Sequence, residues 1–205
     1  LLLVGHHMKN LWLINMEIID LFSIPILEKT FDFDLEEIQY DCYCKREIDR
    51  GRNVSNVNGW QSSRIDMANN PLGYFFDEVL LSAKEFAEKI SIKSNLIVDT
   101  AWININGPGA YNQVHDHPKS ILSGVFYIKV SEDCGSIEFR HPSLSKMSRD
   151  WSHVEEESNK YTSHVWRFIP KENTAYMFPS WLDHQVFANN SKEDRISISF
   201  NISSP

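Results

Sequence analysis

His115, His117, His184 and Arg195 have the residue types and the spacing to do metal chemistry. They lie in Tyr111-Asn-Gln-Val-His-Asp-His-Pro118 and in Phe178-Pro-Ser-Trp-Leu-Asp-His-Gln-Val-Phe187, which runs on to Arg195-Ile-Ser197. Imidazole is a ligand for first-row metal ions. Guanidinium takes a carboxylate through its planar fork. Two imidazoles two residues apart, a third nearly seventy residues later and a cation eleven beyond that lay out a mononuclear metal site beside an anion site. Three protein ligands leave coordination positions open, which a catalytic site requires.

These residues must be carried on strands to work together. Residues i and i+2 of a strand point the same way, so His115 and His117 face one ion and Asp116 faces away. Asp116 is the alternative to His117, and needs a bulge or a slipped register to reach the metal. Pro118 ends that strand, and His184 begins another. A single strand histidine is more often a hydrogen-bonded core residue than a ligand. The His-x-His-Pro pair with a third histidine in a Phe-Pro-Ser segment argues the other way. His141, His153 and His164 lack such partners.

Arg195 to Ile202 alternates strictly, with Ile196, Ile198, Phe200 and Ile202 on one face and Arg195, Ser197 and Ser199 on the other. That polar face either meets solvent or turns inward, where Arg195 binds an anion and Ser197 adds a hydrogen bond.

The chain divides near residue 98. Before it, Glu17 to Phe33 suggests a strand or two, Asp34 caps a short helix over Leu35 and Ile38, and 51–70 reads as a polar loop around Gly59-Trp-Gln-Ser62. Apolar residues from Leu72 to Ile90 recur at three and four spacing, which predicts a helix over 71–92 packed on a sheet, with Pro71 in its first turn. After it, β-rich runs predict strands near 97–106, 111–115, 121–130, 136–140, 164–169, 174–178, 184–188 and 195–202. About eight strands in a hundred residues is the count of a jelly roll. The polar stretch 141–163 interrupts the series as a long loop, of the kind used as a lid. Three segments follow: 1–16 as a leader or tag-like piece, 17–98 as flanking strands and helix, and 99–205 as the barrel, all in one structural domain. The fold class is mainly β with flanking helices.

Composition narrows the function classes. A formal charge of -8 over 205 residues argues against general nucleic-acid binding through a basic footprint. Cys42, Cys44 and Cys134 are too few and wrongly spaced for a disulfide framework or a zinc knuckle, and read as reduced thiols suited to a cytoplasm. His6-His7-Met8 resembles a purification-tag remnant and is set aside. Leu11 to Ile14 is apolar but too short to span a bilayer, and no membrane association is expected.

From about Ala101 to Asn201 the chain resembles the double-stranded β-helix, cupin-like core of the 2-oxoglutarate and Fe(II)-dependent dioxygenases. The Gly-Trp-Gln-Ser segment, His-x-His-Pro, Leu122-Ser-Gly-Val-Phe-Tyr127, Phe-Pro-Ser-Trp-Leu-x-His and Arg-x-Ser together are similar to a poorly characterised group of 2-oxoglutarate oxygenases. The resemblance implies Fe(II) on His115 and His184, with His117 where the superfamily has Asp or Glu. It implies that Arg195 holds the C5 carboxylate of 2-oxoglutarate and that the Tyr127 hydroxyl joins it. Asn104 and Asn106 stand where some relatives place polar contacts to the same molecule. Tyr127 is otherwise a core tyrosine, and the asparagines are otherwise turn residues before Gly107-Pro-Gly109. The implied reaction consumes O2, releases succinate and CO2, and hydroxylates a small molecule or a side chain.

Three imidazoles leave the ion a full charge more positive than two and a carboxylate, which bears on metal choice and admits Zn(II). The competing readings are a cupin-like three-histidine metalloenzyme without 2-oxoglutarate, with Arg195 paired to Glu193 or Asp194, and a metal-stabilised jelly-roll binding module without catalysis.

Overall fold

Alternation along the chain decides the layers. In the computed structural model, which describes residues 17–67, 72–92, 95–153 and 157–205, two antiparallel sheets and three helices form. The first sheet holds β1 (Leu27–Thr30), β9 (Thr174–Pro179), β6 (Leu122–Lys129), β11 (Arg195–Ser203), β4 (Ile97–Asn106) and β3 (Trp60–Gln61), in that spatial order. The second holds β2 (Asn56–Val57), β5 (Tyr111–His115), β10 (His184–Val186), β7 (Ile137–Arg140) and β8 (Val165–Phe168).

β6 and β11 are buried on both faces, and their parity separates two cores. Phe126 and Ile128 of β6, with Ile196, Ile198, Phe200 and Ile202 of β11, pack with the apolar faces of α1 (Leu35–Ile48) and α2 (Gly73–Lys89). Val125 and Tyr127 point the other way and pack with Ile137, Phe139, Tyr176 and Phe178. The helices therefore cover one face of the larger sheet. Arg195 and Ser197 of β11 fall on the other face and are buried too.

Local chemistry sets the helix bounds. Asp34 caps α1, its Oδ1 accepting from the N–H groups of Glu36 at 3.1 Å and Glu37 at 3.4 Å; such a cap contributes about 1 kcal/mol. α1 runs further than its mixed composition predicts, because Ile38 and Cys42 on one stripe are fully buried. α2 buries Phe75, Phe76, Val79, Ala83, Phe86 and Ala87, the helical stripe read from the sequence. Pro71 and the segment 1–16 lie outside the described residues.

One expectation for the flanking segments holds and two change. Glu17 to Phe33 contributes the single strand β1. The 51–70 loop contains β2 and β3, because Trp60 and Gln61 pair with Ile105 and Asn104 of β4. The Trp60 indole also donates to Asp49 O at 3.0 Å and packs against the helix-side core, which pins this segment down. The 141–163 stretch contains α3 (Leu144–Trp151), a surface helix with no buried residue.

The three cysteines are free, with Cys42 and Cys134 buried. Burial pushes the Cys42 thiol up to about 12, so it stays protonated. Among the described residues no helix is long and apolar enough to cross a membrane.

Candidate metal centre and anion pocket

His184 of β10 is the direct cross-strand partner of His115 in β5. Their ring centroids are 4.3 Å apart, and His117 completes a triangle at 4.9 Å from His115 and 5.1 Å from His184. One ligand atom from each ring lies within 4.8 Å of the other two. Asp116 is not in this group; its side chain lines a separate outer depression.

The route to this arrangement differs from strand parity. β5 ends at His115, so His117 is not the next inward residue of a strand. It is held by its own N–H donating to Ser180 O at 2.9 Å, and its ring lies 5.6 Å from that of Trp102.

Two rings are oriented by the backbone. His115 Nδ1 donates to Gln113 O at 2.7 Å, and His184 Nδ1 donates to Leu182 O at 2.9 Å. A carbonyl accepts only from a protonated nitrogen, so each Nε2 is left with its lone pair free for a metal. Phe178 and Phe139 flank His184, with centroids 4.7 and 6.0 Å away. Burial, then the neighbouring His115, pushes His184 down to about 3 and His117 down to about 4. Burial also lowers His115, against the pull of the Gln113 carbonyl. Neutral imidazoles at pH 7 need lose no proton to bind a cation.

A narrow cavity runs inward from these rings between the two sheets. Tyr127, Ser197, Asn104 and Arg195 line it, and Asn106 does not. Ser197 is the cross-strand partner of Asn104 on one side and Tyr127 on the other, so three polar side chains form one row across β4, β11 and β6. Arg195 is only 2% exposed. Its Nη1 donates to the carbonyls of Cys134, Gly135 (3.1 Å) and Phe187 (3.2 Å). Among the described residues it has no acidic partner. Asp194 is taken by Tyr43 at 3.1 Å and Arg46 at 3.4 Å, and Glu193 by Lys129 at 3.0 Å. The expected alternative of an Arg195 ion pair with either is therefore not formed.

Two buried polar atoms of this cavity, the Tyr127 hydroxyl and Asn104 Oδ1, have no hydrogen-bond partner among the described residues. Asn104 Nδ2 is used on Ser199 Oγ at 3.0 Å. Burial raises the Tyr127 hydroxyl and lowers Arg195, so the phenol stays a donor, while a guanidinium remains charged even when buried. An unpaired hydroxyl beside an uncompensated guanidinium costs several kcal/mol unless an anion completes the site. The donor set therefore fits a dicarboxylate with one end at Arg195 and the other at the imidazoles.

Asn106 stands one layer back. Its amide donates to Asn112 Oδ1 at 3.2 Å, and Asn112 itself lines the cavity. Sequence reasoning missed Asn112 because parity sets it opposite to His115. An irregularity in the β5–β10 register breaks that parity. Trp102 and Phe178 line the cavity as well; Phe178 opens the Phe-Pro-Ser segment but had no role of its own in the sequence reading, and Trp102 carried no signal.

The family model described as "Putative 2OG-Fe(II) oxygenase" matches residues 100–201. Among solved structures, a prolyl-4-hydroxylase from Pseudomonas putida aligns with TM-score 0.62 at 10% identity, covering 89% of this chain and 94% of its own. The viral collagen prolyl hydroxylase of Paramecium Bursaria Chlorella virus-1, in complex with 2-oxoglutarate, aligns at 0.57 and 14% identity, covering 88% and 96%. The α-ketoglutarate-dependent epimerase SnoN from nogalamycin biosynthesis aligns at 0.65 and 10% identity, covering 88% and 79%. No curated protein matches in sequence. The structural likenesses establish the double-stranded β-helix fold. The family match over the barrel supports the superfamily of 2-oxoglutarate- and Fe(II)-dependent oxygenases. The chain is an enzyme of that non-haem iron class, which works with Fe(II) and 2-oxoglutarate.

Proposed function

We propose that this oxygenase hydroxylates a small molecule or a side chain, using His115, His117 and His184 to hold the metal and Arg195 to hold 2-oxoglutarate. The observation that carries the reading is the cavity itself. At its outer end three neutral imidazoles converge, and at its inner end lies a buried guanidinium with no acidic partner among the described residues. When bound, Fe(II) and 2-oxoglutarate supply the oxidising power, with O2 consumed and succinate and CO2 released.

The chain's own residues do the rest. Nδ1–H bonds to Gln113 and Leu182 hold the rings of His115 and His184 in one tautomer, with Nε2 turned to the ion. Arg195 takes the far carboxylate, with Tyr127 and Ser197 adding donors from the same wall. Asn104, with one free carbonyl oxygen, orients a donor rather than the carboxylate. Phe178 and Phe139 keep water from the side of His184. Asn106 fixes Asn112 from behind. Free thiols fit a reducing compartment such as the cytoplasm.

The test is stoichiometry. Purified enzyme with Fe(II), O2 and 2-oxoglutarate should form succinate, and His184→Ala should abolish it. Metal binding without any succinate, under conditions where 2-oxoglutarate does not bind, favours a three-histidine enzyme of another kind.

A further inference from the structure

The geometry points to a second anion-recognition site at the mouth of the metal centre, in which Arg52 and Arg64 receive the carboxylate of the substrate. This rests on the oxygenase reading above. The outer depression is about 350 Å³, within the roughly 300–1,000 Å³ of small-ligand pockets. It shares Ser55, Trp102, His115 and His117 with the inner cavity, so a molecule seated in it lies beside two of the three candidate metal ligands. The inner cavity is narrow and, on the reading above, filled by 2-oxoglutarate. The body of the substrate therefore has this depression left to it.

Its charges set the class. Arg52 and Arg64 both line the depression, and neither has an acidic partner among the described residues. Asp116 lines it too and is paired with neither. Two cations and one carboxylate leave a surplus of one positive charge, in a chain whose formal net charge is -8. That favours a monoanion over a dianion such as a phosphate monoester. Guanidinium forks match a carboxylate well.

The arginines also sit on a fixed platform. Arg52 N–H donates to Gln61 O at 2.8 Å, and Asn56 Nδ2 donates to Arg52 O at 3.1 Å. Asp49 accepts from the N–H groups of Gly51 and Ser63, both at 2.8 Å, tying together the two segments that carry the arginines. Both side chains are exposed, but the backbone that carries them is fixed, so binding has to order the side chains and not the loops.

The test uses the full chain loaded with Zn(II), a redox-silent stand-in, and saturating 2-oxoglutarate to fill the inner pocket. A library of small monocarboxylic acids, including the common amino acids, is screened by ligand-observed NMR beside the matching primary amides. The expected result is a set of acids that bind, with their amides and an Arg52→Ala/Arg64→Ala double variant each weaker by tenfold or more. The proposal is overturned if no acid binds, if acids and amides bind alike, or if the double variant binds as well as the wild type. Should 2-oxoglutarate itself fail to bind, the inner-site reading is what fails. The same screen without it still tests the arginines, since neither lines the inner cavity.

Discussion

His184 and His115 sit directly opposite each other on adjacent antiparallel strands, and each ring is held through Nδ1 by a carbonyl two residues before it. The pairing brings two candidate metal ligands together through sheet register alone. His117 is added by a single backbone bond to Ser180. Substituting His184 or His115 by Ala should remove metal binding by more than the roughly 10–100-fold typical of losing an outer partner of a metal histidine. His117→Ala should be milder, since that ring lies just past the strand. Metal titrations of the three variants would show the order, and equal losses would argue that the strand pair is not the primary anchor.

Arg195→Ala should weaken 2-oxoglutarate by about 2–5 kcal/mol, the usual effect of truncating one member of a buried charge pair. Metal affinity should hold, because the guanidinium's hydrogen bonds go to the carbonyls of Cys134, Gly135 and Phe187 and not to the three histidines. Calorimetry with each ligand separates the two. Unchanged affinity for 2-oxoglutarate removes Arg195 from the site.

Tyr127→Phe has opposite signs in the two states. Without ligand, the hydroxyl is buried and unpaired, so its removal should leave stability unchanged or raise it. With ligand, one hydrogen bond to a charged group goes, costing about 1.5–3 kcal/mol of 2-oxoglutarate affinity. Thermal melts with and without 2-oxoglutarate read both. A variant destabilised in both states would mark Tyr127 as a packing residue only.

Gly135 is the seat of the guanidinium. Its φ is +88°, and a Cβ there would meet Ala188 O at 2.7 Å and Arg195 Nη1 at 2.8 Å. Gly135→Ala should destabilise the fold by about 1–3 kcal/mol from backbone strain and also shift Arg195. Loss of 2-oxoglutarate affinity in chains that remain folded at low temperature is the expected signature, and wild-type affinity would contradict it.

The histidines also predict how the metal-free protein responds to acid. Unfolded imidazoles take protons near 6.5, while in the folded chain burial delays this to about 4 for His117 and about 3 for His184. Between those values the unfolded state binds more protons, so stability is present above about pH 6.5 and falls as pH drops toward 4 and below. The melting temperature of metal-free protein against pH should show this slope, and His184→Gln should flatten it. A wild-type profile level from pH 7 to 4 would mean the rings are not buried neutral.

The barrel strands were legible because their alternation is strong. Ile97 to Asn106 and Tyr111 to His115 have the bounds read from the sequence, and the polar face of Arg195, Ser197 and Ser199 does turn inward. Sequence could suggest that His115, His117 and His184 meet, but not how. Parity gave the right side for His117 by a route that fails, since the strand stops first. The same period hid Asn112, which a register irregularity turns toward the cavity. Pairing across long loops was invisible as well. Trp60 and Gln61 become an edge strand only because β4 offers them partners, and Arg52 and Arg64 come to line one depression with His115 and His117 only through that fold.

A crystal structure of the protein grown without oxygen, with Fe(II) and 2-oxoglutarate, tests the central claim most directly. The account predicts one ion bonded to Nε2 of His115, Nε2 of His184 and a ring nitrogen of His117, with a dicarboxylate running from that ion to Arg195 and touching the Tyr127 hydroxyl. A metal bound elsewhere, or a 2-oxoglutarate whose far carboxylate avoids Arg195, would contradict it.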